Sequence, residues 1–120
     1  MKTTRLDSVT VVSPDAGKAS ATFARLFGLA PVSASGAALA IGSARIDFVT
    51  PQPGSALDEA LRTGGEGMAA LTLTVGDLAD ARRALAAAGI GCTDETLNGR
   101  PALAVDPSAA HGVRLRLIAN

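Results

Sequence analysis

The chain has 120 residues, of which 48% are hydrophobic and 18% charged, and eleven Lys and Arg balance eleven Asp and Glu to a formal net charge of zero. That is enough for one folded domain with a real core, and with no Trp, no Tyr, only three Phe and no basic run it excludes a nucleic-acid face, as the short apolar runs exclude a membrane span. One Cys cannot form an internal disulfide and no apolar signal core follows Met1-Lys2-Thr3-Thr4-Arg5, so the expected setting is the reducing cytoplasm.

A first strand is predicted over Leu6 to Val12, with Val9 and Val11 on one side and Ser8, Thr10 and Val12 on the other. Ser13 reads as the N-cap of a helix, with Pro14 in its first turn, an apolar stripe of Ala19, Phe23, Leu26 and Phe27, and Gly28 as its C-cap. Two strands follow, Ala37 to Ile41 and Ala44 to Val49, around a tight Gly42-Ser43 turn. Pro51 to Ser55 opens a linker, Leu57 to Leu61 reads as a short helical turn, and Thr63 to Gly67 closes the linker. The next strand alternates Leu71, Leu73 and Val75 with Thr72 and Thr74. Asp77 caps a helix with stripe Leu78, Ala81, Leu85 and Ala88, ended by Gly89. A short strand over Gly91 to Thr96, a turn at Asn98-Gly99, a strand from Ala102 to Val105, a loop from Asp106 to Gly112 and a last strand from Val113 to Ile118 complete the chain.

Ser8-Val9-Thr10-Val11-Val12-Ser13-Pro14-Asp15 and Ala70-Leu71-Thr72-Leu73-Thr74-Val75-Gly76-Asp77 are near-copies about 62 residues apart, and each leads into a helix. A repeat of that length is a whole supersecondary unit. Each half therefore reads as strand, helix, then up to three strands. Val9, Val11, Ile46, Phe48, Leu71, Leu73, Leu115 and Leu117 supply an apolar sheet face for the helices. Ser8, Thr10, Arg45, Asp47, Ala70, Thr72, Thr74, Arg114 and Arg116 fall on the other face, which is too polar for a second core and is expected to line a cleft between the halves.

In its order of phrases the chain resembles the vicinal oxygen chelate superfamily, which includes glyoxalase I, bleomycin-resistance proteins, methylmalonyl-CoA epimerase and extradiol dioxygenases. The phrases are Leu6-Asp7-Ser8-Val9-Thr10-Val11, Phe27-Gly28-Leu29, Ile46-Asp47-Phe48-Val49-Thr50-Pro51, Val75-Gly76-Asp77-Leu78-Ala79-Asp80-Ala81, and Asp106-Pro107 through His111-Gly112-Val113-Arg114-Leu115-Arg116-Leu117. The resemblance implies an α+β fold of two βαβββ modules in pseudo-twofold arrangement, with a curved mixed sheet around a central cleft. The single domain would then divide into an N-terminal module over about 5–51, a linker over about 52–67 and a C-terminal module over about 68–119. It also implies a homodimer. The family's divalent-metal ligands would fall at Ser8, Asp47, Ala70 and Arg116, and three of these four cannot serve, so no metal and no other cofactor is expected.

On the same resemblance Asp47 and Arg116 occupy matching strands and are expected to face each other. Either they neutralise one another in a relic site, or Arg116, with Arg114, binds an anionic group of a ligand. The main reading is a binding protein that holds a small anionic or polar molecule with Ser8, Thr10, Asp47, Thr72, Arg114 and Arg116. The alternative is a lyase, isomerase or epimerase of altered site, with Asp47 as base and Arg116 as anion stabiliser. A third is a partner subunit with a vestigial cleft, marked by an exposed apolar patch. His111, the single His, is a weak catalytic candidate whose His-Gly pair reads first as a turn, and Cys92 reads as a small buried hydrophobe. Arg45 and Arg114, taken alone, read as solvated strand charges.

Overall fold

The computed structural model describes residues 2–32, 37–97, 99–110 and 113–120. Its elements in chain order are β1 (Thr3–Val12), α1 (Ala16–Phe27), β2 (Ala38–Ile41), β3 (Ala44–Val49), α2 (Ala56–Gly64), β4 (Gly67–Val75), α3 (Leu78–Ala87), β5 (Cys92–Leu97), β6 (Arg100–Val105), a 3-10 turn (Pro107–Ala110) and β7 (Arg114–Ala119). The class is α+β, as expected. The chain forms two compact units, one of Ser8–Ala69 and the other of Ala70–Asn120 with the strand residues up to Asp7.

In the Ser8–Ala69 unit β1 runs parallel to β3, with Ser8 opposite Arg45, Thr10 opposite Asp47 and Val12 opposite Val49. β2 pairs antiparallel with the other edge of β3, placing Ala38 opposite Asp47. Gly42, at φ 57°, makes the left-handed turn between β2 and β3. Of the third strand expected in this half, the described residues show one bridge, Pro31 to Leu39.

α1 begins two residues later than expected. Its N-cap is Asp15, whose carboxylate accepts from the Lys18 N–H at 3.0 Å, while the Ser13 hydroxyl oxygen accepts from the Asp15 N–H at 3.2 Å. Two good caps compete here, and the one three residues before an N–H it can reach wins. The stripe is only half used: Phe23 packs edge-on against Phe48 at 5.2 Å, but Leu26 and Phe27 are each 65% exposed. Helical periodicity says which side is apolar, not what lies against it. α2 is longer than the expected turn because Ser55 caps it through the Asp58 N–H at 3.1 Å and Arg62 pairs with Asp58 one turn on.

In the other unit β4 runs parallel to β7, with Ala70 opposite Arg114 and Thr72 opposite Arg116. β6 pairs antiparallel with β7, and β5 with β6. Asp77 caps α3 as expected, accepting from the Ala79 N–H at 2.8 Å, and Gly89 follows at φ 74°. Ala81 and Leu85 of α3 bury against Val75, Leu103, Val105 and Leu117, with Cys92 partly buried beside them. Ala88, expected in the stripe, is exposed. The Thr4 hydroxyl donates to the Thr74 carbonyl at 3.1 Å, and the Gly76 N–H donates to the Lys2 carbonyl at 3.2 Å. Asp106 starts a turn by accepting from the Ser108 N–H and hydroxyl. Asn98 of the expected Asn98-Gly99 turn, His111 and Gly112 lie outside the described residues. Among the described residues no helix is long and apolar enough to cross a membrane.

Candidate functional site

The sequence-predicted residues fall into one row set in each unit. Strand alternation puts Ser8, Thr10, Arg45, Asp47, Ala38 and Ala40 on one face of the Ser8–Ala69 unit. Ala70, Thr72, Thr74, Arg114, Arg116 and Ala104 share a face of the other. The two registers are equivalent: Thr10 stands to Asp47 as Thr72 stands to Arg116, and Ser8 to Arg45 as Ala70 to Arg114. The repeat therefore reverses the sign of one charge, carboxylate in the first copy and guanidinium in the second.

This face was expected to be an open cleft lining. Its small strand residues are deeply buried, with Ser8 and Thr72 1% exposed and Thr10 5%, while its charged residues Arg45, Asp47, Arg114 and Arg116 are half-buried. Short side chains with a single hydroxyl are cheap to bury when they find a hydrogen-bond partner and costly when they do not. The Thr72 and Thr74 hydroxyls have no hydrogen-bond partner among the described residues, which marks the β4 row as an incompletely satisfied polar surface.

Asp47 was expected to face Arg116. Its ion-pair partner is Arg45 on its own strand, with Arg45 Nε 2.8 Å from Asp47 Oδ1. Residues i and i+2 of a strand project from the same face, which brings these two side chains together. Arg45 is thus not a free solvated charge. Asp47 Oδ2 has no partner among the described residues, and the side chain keeps a quarter of its surface exposed. Arg114 and Arg116 are half-buried and already interact within the protein.

The positions at which the resemblance places metal donors do not fit a metal. Ser8 is a buried neutral hydroxyl, Asp47 is committed through Oδ1 to Arg45, Ala70 has no donor and Arg116 is cationic. Among the described residues no three His, Cys, Asp or Glu side chains gather.

Two features escaped the sequence reading. Arg82 pairs with Asp94, and that hydrogen bond and charge raise its pKa, but the pair lies on the exposed surface of α3 and β5 and marks no site. More telling is an open pocket of about 350 Å³ lined by Ser13, Pro14, Asp15, Lys18, Ala19, Thr22, Phe23 and Glu66. None of the sequence-predicted ligand residues reaches it. Its signal was the spacing of Asp15, Lys18, Ala19, Thr22 and Phe23 along one side of α1, which reads equally well as an ordinary solvated helix flank.

No family model matches the chain, and no curated protein matches it. Among solved structures it is similar to methylmalonyl-CoA epimerase from Mycobacterium tuberculosis, at 23% identity and TM-score 0.87, over 98% of this chain and 88% of that one. It is similar to a Streptomyces coelicolor methylmalonyl-CoA epimerase (Q60A) in complex with 2-nitronate-propionyl-CoA, at 17% identity and TM-score 0.86, over 99% of both chains. A hypothetical protein, BH1468, from Bacillus halodurans C-125 matches at 16% identity and TM-score 0.82, over 97% of this chain and 94% of that one. At these identities the likeness establishes a shared fold.

Proposed function

We propose that this chain is an epimerase-type member of the vicinal oxygen chelate superfamily, acting on an acyl thioester with an acidic α-carbon. The observation that carries the reading is the near full-length likeness to methylmalonyl-CoA epimerases, one of them matched over 99% of both chains in two variant structures. The chemistry such a reaction needs is removal of a proton next to a carbonyl and stabilisation of the enolate charge. Asp47 supplies the base through its unengaged Oδ2. Arg116, beside the Thr72 hydroxyl in register, supplies a cation for the developing charge or for a carboxylate of the substrate.

The test is deuterium uptake. Methylmalonyl-CoA incubated with the protein in D₂O should gain deuterium at C2 and lose optical purity faster than in a protein-free control. Asp47→Asn should slow uptake by about 10²- to 10⁴-fold, the usual worth of a positioned base. Unchanged uptake in that variant would remove Asp47 from the mechanism.

A second reading rests on the Arg45–Asp47 pair and the unsuitable metal positions: a binding protein for a small anionic or polar molecule. It expects no deuterium uptake with any acyl thioester. It also expects saturable ligand binding that weakens in Arg116→Gln.

A further inference from the structure

We propose that the pocket beside α1 is a binding site for a small zwitterion of amino-acid size, independent of any acyl-thioester chemistry. At about 350 Å³ it lies at the small end of the range, about 300–1,000 Å³, in which small-molecule sites occur. Pro14, Ala19 and Phe23 give it apolar walls, and Phe23 is held in place by edge-on packing against Phe48.

Its polar groups are arranged for both signs of charge. Lys18 and Glu66 both line the pocket, yet neither forms an ion pair with the other or with any described residue. Asp15 also lines it, but its carboxylate caps α1 by accepting from the Lys18 N–H, and the positive end of the helix offsets its charge. One cation and one anion therefore remain to be matched, and a ligand with a single charge matches only one of them.

Two hydroxyls complete the set. Ser13 is only 2% exposed, yet it lines the pocket. Its oxygen accepts from the Asp15 N–H, while its own hydrogen has no acceptor among the described residues. A ligand carboxylate satisfies both that hydrogen and Lys18. The Thr22 hydroxyl donates to the Lys18 carbonyl at 2.9 Å, which leaves its lone pairs for a ligand ammonium, with Glu66 as the anion of the same pocket. Charge-assisted bonds of this kind are about twice as strong as neutral ones. Lys18 and Glu66 are themselves exposed to water, so the affinity belongs in the millimolar range.

Titrating the isotope-labelled full chain by NMR separates the possibilities with three near-isosteric probes: L-leucine, 4-methylpentanoate, which lacks the ammonium, and 3-methylbutylamine, which lacks the carboxylate. Leucine should shift the amides of residues 13–23 and 66 saturably, binding about tenfold or more tightly than either single-charge probe. Lys18→Met and Glu66→Gln should each abolish that preference while leaving the rest of the spectrum in place. Equal binding of the three probes overturns the proposal. So does the absence of shifts in those amides with leucine, glycine and phenylalanine alike at millimolar concentration.

Discussion

Thr72 and Thr74 are each 1% exposed, and neither hydroxyl has a hydrogen-bond partner among the described residues. A buried hydroxyl left without a bond costs about 1–3 kcal/mol, because the water it gave up is not replaced. Thr72→Val and Thr74→Val keep the shape and remove that cost, so each should raise the unfolding free energy by about 1 kcal/mol in urea denaturation. A loss of stability would mean that the hydroxyl is satisfied after all. Thr72→Val also bears on ligand binding: a gain in stability with weaker ligand affinity places that hydroxyl against the ligand. The residues of this row were legible in the sequence because a period of two says which side chains share a face. Their depth was not, since alternation carries no information about what covers a face. The Arg45–Asp47 ion pair escaped notice for a related reason: family positions drew attention to Arg116, whereas the pair forms two residues apart on one strand.

Element starts were legible where one cap stood alone. Asp77 is the only good cap before α3 and serves as expected, whereas Ser13 and Asp15 compete before α1 and the later one prevails. Gly28 and Gly89 follow α1 and α3 with positive φ, the conformation that glycine adopts without strain. α3 differs from α1 in how much of its stripe is covered. Leu85 is 5% exposed inside a cluster with Val75, Ala81, Leu103, Val105 and Leu117, so Leu85→Ala removes buried methyls and leaves a cavity. The expected cost is about 2–5 kcal/mol by urea denaturation. A cost under about 1 kcal/mol would show that the site collapses or that α3 frays from its strands.

At the scale of the whole molecule, the repeat was the most legible feature, and its internal logic is the same in both copies. Each has a parallel pair, β1 with β3 and β4 with β7, then an antiparallel neighbour; beyond it the second copy has β5, and the described residues of the first show one bridge, Pro31 to Leu39. Oligomeric state was not legible, because it depends on which apolar residues the fold leaves uncovered. On the Ser8–Ala69 unit, Leu26 and Phe27 are 65% exposed, Val32 54% and Ile41 46%. Large apolar side chains in that number on one small unit favour association, since removing them from water is worth about 25 cal/mol per Å². We expect a homodimer, with a light-scattering mass twice the 11.9 kDa of one chain. The double variant Leu26→Glu, Phe27→Glu adds charge to an exposed stripe that contributes little to either core, so it should return the mass to that of one chain with its circular dichroism unchanged. A wild-type mass of one chain at every concentration would refute association. A dimer that survives the double variant would move its interface away from α1.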